Sequence, residues 1–373
     1  MNTLMPADTP SSAPAPTFRA SGASGAIDVL GDAWVLRLLR SAFRGARRFS
    51  DFLAELDVSR AVLSERLERM VSDQLLEKVA PGGGRSEYRL TERGLDLWGT
   101  LIAMWSWERA WGTGQHEPPH PRDRPRSRLV HLACGHETMP MCTCAHCKAV
   151  VSPFDTSATP GPGAPAGPGN PTNQAPPGVG GVGGAVGAVG ADGADGDEGV
   201  AEGSAIASAS VPSRKRFRKS HSADRSALPT LMRVYGDRWN SSVIAAALQG
   251  ARTFSEFERA LGIGPTQLSD RLLELQTLGM LRPRAYAGSR QEYHLTRAAV
   301  ATFPITLELI RWGDRWLWGG RGPLAVLHHP CGQVLGLQWR CSHCSGALER
   351  TGLAFSDQGT SPDIMRREPE RGH

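Results

Sequence analysis

This chain of 373 residues has only four lysines, only four tyrosines, and no cysteine outside two short clusters. It also has no run near the ~20 apolar residues that cross a membrane as a helix, and no charged-then-apolar N-terminal leader. Membrane-spanning and exported proteins are therefore set aside, and the expected location is the cytoplasm, in association with the nucleoid. Excess charge of one sign is scarce. The net charge is +5, Ala26 to Gln115 balances 13 basic against 13 acidic residues, and Leu228 to Gly320 carries 11 against 8. Nucleic-acid binding would thus depend on local placement of charge rather than on a polybasic stretch. Catalytic signatures are missing too: there is no phosphate-binding glycine loop, no Gly-x-Ser-x-Gly elbow and no His-Glu-x-x-His helix. The expectation is a protein that is not an enzyme.

Glycine (43) and proline (27) are abundant but concentrated, with 21 of them in the 41 positions from Pro160 to Val200. Such a stretch cannot bury enough apolar surface to offset the entropy of ordering it. The folded mass is therefore expected on either side. Shifting the chain by 205 residues shows why there are two sides. Gly31-Asp32-Ala33-Trp34 falls on Gly236-Asp237-Arg238-Trp239, Phe49-Ser50-Asp51-Phe52 on Phe254-Ser255-Glu256-Phe257, and Leu63-Ser64-Glu65-Arg66-Leu67 on Leu268-Ser269-Asp270-Arg271-Leu272. Between Ala26 and Gly112 there are 26 identities in 87 positions without a gap. The chain is a duplication.

One module reads as follows. Apolar spacing predicts a helix over Val29–Phe43, a second opening at Phe49 with Ser50 as its cap, and a third from near Ser59 to about Ser72. The third buries Leu63, Leu67 and Met70. In the second copy, Pro265 suits the first turn of the same helix, where no amide hydrogen is needed. Strands Leu76–Ala80 and Ser86–Leu90 flank a glycine tip, and Thr91 caps a closing helix that runs to Trp111. Three helices and a β-hairpin describe a winged helix-turn-helix, a fold that lays one helix in the major groove and a wing on neighbouring phosphates. The same fold also serves protein docking; on the reading face Glu65 and Glu68 argue against DNA, while Arg60, Arg66 and Arg69 argue for it. The tryptophans after each wing (Trp98, Trp105, Trp107, Trp111; Trp312, Trp316, Trp318, with Phe303) fit either a dimer contact or core packing. The basic run Arg214–Lys219 reads as a solvated charge run.

At Gly31–Trp34, Arg47–Phe52, Leu63–Leu67 and Arg85-Ser86-Glu87-Tyr88-Arg89-Leu90-Thr91, and at their second-copy counterparts, the sequence resembles the HxlR-type branch of the MarR-like transcription regulators. The resemblance implies a dimeric, operator-binding regulator, often a repressor, with double-stranded DNA as partner. The DNA-contact candidates it implies are Ser59, Arg60, Ser64, Arg66 and Arg85, then Thr266, Gln267, Ser269, Arg271 and Arg290. Family members typically carry one module per chain, so two in tandem allow either a homodimer of chains or an intrachain pseudo-dimer. A flexible linker over Val151–Ala227 would reach roughly 45–50 Å, more than the ~34 Å between half-sites one helical turn apart. The unlike starts of the reading helices, Arg60-Ala61-Val62 and Pro265-Thr266-Gln267, predict an asymmetric operator.

The cysteines repeat at an offset of 197: His131, Cys134, Cys144 and Cys147 fall on His328, Cys331, Cys341 and Cys344. Both copies read His-x2-Cys-Gly-x8-Cys-x2-Cys, a set that suits structural zinc. Taken copy by copy, this predicts two zinc-ribbon-like appendices, each closed on its own four ligands. The fourth ligand has competitors in His136, His146 and Cys142 of the first copy and His329 and His343 of the second. Reduced thiols without metal, or a cluster that loses zinc and forms disulfides, are the other readings. The expected fold is mainly α with small β-hairpin wings. Its expected plan is a tail over 1–24, winged domain 25–115, appendix 128–150, linker 151–227, winged domain 228–320, appendix 324–350 and tail 354–373.

Overall fold

The computed structural model describes residues 21–80, 84–112, 128–164, 230–287, 290–356 and 363–364. The expected basic run at 214–219 and most of the expected linker lie outside the described residues.

Helix α1 (Gly22–Leu30) is capped by Ser21, and α2 (Ala33–Phe43) by Asp32, whose carboxylate accepts the Trp34 N–H at 2.9 Å. The helix expected over Val29–Phe43 is therefore broken at Gly31-Asp32. The cause is a side chain that satisfies the amides at the start of a helix, and apolar periodicity does not report caps. In α3 (Phe49–Glu55), the Asp51 carboxylate takes the Arg47 and Arg48 amides at 3.0 and 2.8 Å, so the cap comes from Asp51 and not from Ser50. Those amides hold the Asp51 carboxyl below its usual range. Helix α4 (Arg60–Ser72) starts at Ser59 as expected and buries Leu63, Leu67 and Met70. Strands β1 (Leu76–Val79) and β2 (Glu87–Leu90) pair antiparallel, and Thr91 caps the short α5 (Glu92–Leu95) ahead of α6 (Trp98–Trp111).

The second copy repeats the plan in α7 (Thr230–Val234), α8 (Arg238–Leu248), α9 (Phe254–Leu261), α10 (Pro265–Thr277), β7 (Leu281–Ala287), β8 (Arg290–Leu295), α11 (Arg297–Val300) and α12 (Phe303–Leu317). Asp237 caps α8 as Asp32 caps α2, and a Thr253/Glu256 capping box opens α9.

The copies pack on each other within the chain. Helix α1 lies along α12, close enough that a side chain at Gly22 would strike the Ile310 carbonyl and Asp314. Equivalent residues meet each other or exchange contacts, which is the signature of an approximate two-fold axis. Asp32 bridges its counterpart Asp237. The Trp107 indole donates to the Ala298 carbonyl at 2.6 Å, and the equivalent Trp312 donates to Arg93 at 2.9 Å. Trp107 and Trp312 are both buried, so the aromatic helices are the contact between copies.

Beyond each winged module the strands exchange. β3 (Arg128–His131) pairs with β4 (His136–Glu137) and with β12 (Leu353–Ser356) of the other copy, and β12 continues to β13 (Asp363–Ile364). β6 (Thr156–Pro160) pairs with β9 (Leu324–His328), which also pairs with β10 (Gln333–Val334). β5 (Met141–Cys144) pairs with β11 (Leu337–Arg340), placing Cys142 opposite its counterpart Trp339. Three expected boundaries move. The first helix begins at Gly22, within the expected tail, and β6 belongs to the folded unit rather than to the linker. β12 and β13 carry the fold past residue 354. Leu129, Leu324 and Leu353 are buried where these strands meet, an apolar gain that neither appendix sequence shows alone.

Candidate nucleic-acid interface and metal centres

The first turns of α4 and α10 present short polar groups on a helix whose other side is anchored in the core. Arg60, Thr266, Gln267 and Ser269 are exposed. Ser59 serves α4 itself, its hydroxyl accepting the Val62 amide at 3.3 Å, and Ser64 donates to Glu68 at 3.2 Å. At the wings Arg85 and Arg290 are exposed beside their hairpin tips.

Arg66 and Arg271 are placed otherwise than expected. Arg66 lies 3.2 Å from Asp32 and 3.0 Å from Glu65, with only 12% of its side chain exposed. Arg271 repeats this with Asp237 at 3.4 Å and Glu274 at 2.8 Å. Each carboxylate thus caps one helix and receives the arginine of the next, which fixes α4 against α2 and α10 against α8. These two guanidiniums turn toward the module, not away from it.

All eight Cys/His candidates come together, but not copy by copy. One group is His131, Cys134, Cys341 and Cys344; the other is Cys144, Cys147, His328 and Cys331. In each, the His-x2-Cys pair of one copy meets the Cys-x2-Cys pair of the other, and the ligand atoms lie within 4.8 Å of one another. In the first group the Cys134 and Cys341 sulfurs are 3.9 Å apart, and the Cys344 sulfur is 3.3 Å from His131 Nδ1. In the second, Cys144 and Cys331 are 3.8 Å apart, and His328 Nδ1 lies 3.3 Å from Cys331 and 3.5 Å from Cys147. The strand exchange is the cause, because it carries His131 next to Leu353 and His328 next to Thr156. Either group could hold a metal ion.

Of the competitors for the fourth position, Cys142, His146 and His329 belong to no ligand grouping among the described residues. Cys142 is buried, and burial pushes its thiol up, with Glu308 adding to the effect. His329 bonds Ser157 at 2.9 Å, and His146 is exposed. His136 and His343 stack on each other at 3.7 Å beside Cys134, with which they form a third grouping. Around Cys341, burial opposes ionisation. The Thr138 hydroxyl and the Cys344 and His343 amides outweigh it and bring the thiol down to about 6. Such a thiol is ready to bind a metal near neutral pH.

One polar cluster escaped the sequence reading. Glu308 is 2% exposed; it accepts the Trp339 indole N–H at 2.7 Å and pairs with Arg311 at 2.8 Å. Arg311 reaches across to Asp96 of the first copy at 3.0 Å, and the Trp316 indole donates to that same carboxylate at 2.8 Å. The positions related to Asp96, Glu308 and Arg311 are Ala301, Ala103 and Ser106, so nothing repeats to draw attention to them. Their divergence was the available signal.

The family model described as HxlR-like helix-turn-helix matches residues 29–116 and 234–319. An uncharacterized HTH-type transcriptional regulator of Mycobacterium tuberculosis strain H37Rv is 33% identical over 148 residues, covering 39% of this chain and 89% of the relative. One of Bacillus subtilis is 32% identical over 87 residues, covering 22% of this chain and 81% of its own length. The crystal structure of a proposed transcription factor aligns at 30% identity over 30% of this chain and 74% of its own, with a TM-score of 0.26.

Proposed function

The chain belongs to the HxlR-like helix-turn-helix family, as both matched regions and the mycobacterial relative show, and on that premise we propose that it is a sequence-specific, DNA-binding transcriptional regulator acting as a repressor. The observation that carries the reading is the pair of unlike, exposed polar helix starts, Arg60 on α4 and Thr266-Gln267 on α10, related by the approximate two-fold axis within one folded unit. A helix end of this kind reads base edges in the major groove. Ser64 and Ser269 extend the same surface, Ser59 sits at its edge, and Arg85 and Arg290 supply phosphate contacts from the wings. Arg66 and Arg271 hold the reading helices in place through Asp32 and Asp237. No helix among the described residues is long and apolar enough to cross a membrane.

Zinc is the metal proposed for the two Cys/His groups. Tetrahedral zinc with bonds of about 2.3 Å to sulfur sets sulfur–sulfur edges of about 3.8 Å, and the observed separations are 3.9 and 3.8 Å. Three thiolates and one imidazole close the coordination shell, so the metal's part is structural.

The test is selection of genomic fragments with purified, zinc-replete protein at near-physiological salt. The expected result is a two-part site, with Arg60→Ala relaxing one half and Thr266→Ala the other, each by about 1–3 kcal/mol of discrimination. Retention without sequence preference would overturn the reading and favour a protein-docking role for the same helices, to which the exposed Glu65 and Glu68 would then belong.

A further inference from the structure

We propose that each zinc ion is a clamp between the two copies, held half by one and half by the other, so that metal binding strengthens the pairing of the copies. This rests on the zinc assignment above. The motif repeat predicts two self-contained appendices, yet the ligands that meet are 181 to 213 residues apart in sequence. His131 and Cys134 leave β3, which is hydrogen-bonded to β12 of the other copy; His328 and Cys331 leave β9, which is hydrogen-bonded to β6. The two Cys-x2-Cys turns follow β5 and β11, and those strands pair with each other across the approximate axis at Cys142 and Trp339. The sheet register and the ligand grouping therefore agree without sharing any atoms.

The consequence is thermodynamic. If the copies part, each centre divides into two pairs of ligands, and two ligands retain a metal far more weakly than four. A ligand that binds only the joined state stabilises that state, and the affinity of a metal for a site that forms on association is part of the association energy. The α1–α12 contact and the Asp96–Arg311 pair join the copies without metal. Zinc thus tightens the end of the molecule beyond the winged modules.

Metal counting on the full chain separates crossed from self-contained centres. The wild-type chain is expected to carry two zinc ions. Cys134→Ser with Cys341→Ser damages one crossed centre and should leave one zinc, whereas Cys134→Ser with Cys144→Ser damages both and should leave none. Self-contained centres give the opposite counts, none and one, and that pattern would overturn the proposal. Cobalt substitution gives a second reading: the visible bands of one Cys3His centre should persist in the first variant and vanish in the second. A wild-type chain that binds no zinc would overturn the zinc assignment and the clamp together.

A further measurement needs no variant. Zinc is chelated, and the thiols are oxidised with a diazene, which takes two hydrogens per disulfide formed and becomes a hydrazine. The disulfides are then mapped by peptide mass. Links from Cys134 to Cys341 or Cys344, and from Cys331 to Cys144 or Cys147, are expected. Links confined to one copy, Cys134 to Cys144 or Cys147, would sink the clamp while leaving zinc binding intact.

Discussion

Arg311 illustrates how much one side chain can carry at the seam of a duplicated protein. It joins buried Glu308 on its own helix to Asp96 of the other copy, and its related position in the first copy is a serine. Removing it takes the guanidinium from two carboxylates that are 2% and 12% exposed, leaving Glu308 with the Trp339 indole and Asp96 with the Trp316 indole and Arg315. Breaking such a pair costs about 3–5 kcal/mol when fully buried. Arg311 itself is 30% exposed, so Arg311→Ala is expected to lose roughly 2–4 kcal/mol of unfolding free energy by denaturant titration. Adding Asp96→Ala should cost less than the sum of the two single losses, because one shared pair is counted twice. It should cost more than nothing, because Arg315 and the Trp316 indole also lose their acceptor. A second acid on the same helix works in the opposite sense. Burial pushes the Asp314 carboxyl up to about 6 from 3.8, and Oδ1 has no hydrogen-bond partner among the described residues. A carboxyl that holds its proton more tightly when folded is most favourable below the unfolded value, and its contribution is lost as pH rises from about 4 through about 6. Asp314→Asn should therefore raise stability by about 1 kcal/mol at pH 7.5, after allowance for partial exposure, and do nothing near pH 3.5. Equal melting shifts at both pH values would refute this.

At the scale of elements, the boundaries legible in sequence were those with a local cause. Thr91 caps where its position predicts, the third helix starts beside Ser59, and the stripe Leu63, Leu67, Met70 is buried as its spacing requires. The break between α1 and α2 was hidden because Asp32 lies in a run of helical apolar spacing, and its effect depends on a single side-chain bond. The same residue accepts Arg66 and bridges Asp237. Asp32→Ala removes a cap, worth about 1 kcal/mol, and also releases the reading helix α4. The loss should therefore exceed that of an isolated cap, and DNA affinity should fall along with thermal stability. Arg60→Ala should lower affinity alone. A stability cost from Arg60→Ala as large as that from Asp32→Ala would mean that α4 is not held from Asp32. The metal centres show the limit of reading motifs. An offset of 197 residues identifies which positions are equivalent, but it does not say whether equivalent halves close on themselves or on each other. Both arrangements carry the same His-x2-Cys-Gly-x8-Cys-x2-Cys spacing, and only the partners of β3 and β9 separate them.

For the whole molecule, the divergence of the copies bears on how many chains occupy one DNA site. Pairing two first copies would set Asp96 opposite Ser106. Pairing two second copies would set Glu308 against Pro304 where it now lies against Gly99, a position at which a side chain would collide with its carboxylate. Only unlike copies satisfy Asp96, Glu308 and Arg311 together, and they are already tethered in one chain at high effective concentration. Once they are joined, α1 lies along α12 and α12 against α6, with Trp107 and Trp312 buried, so the face that a second chain would need for the same pairing is occupied. The expected species is therefore a single chain of 40.0 kDa that meets its site one to one. Sedimentation of the protein with a duplex carrying the selected two-part site should show one chain per duplex over a wide concentration range. Arg311→Ala together with Asp96→Ala weakens the preference for unlike pairing, leaving Glu308 against Gly99 to enforce it, and should introduce some concentration-dependent self-association. A wild-type complex with two chains on each two-part site would place the functional pairing between chains and contradict the arrangement derived from these contacts.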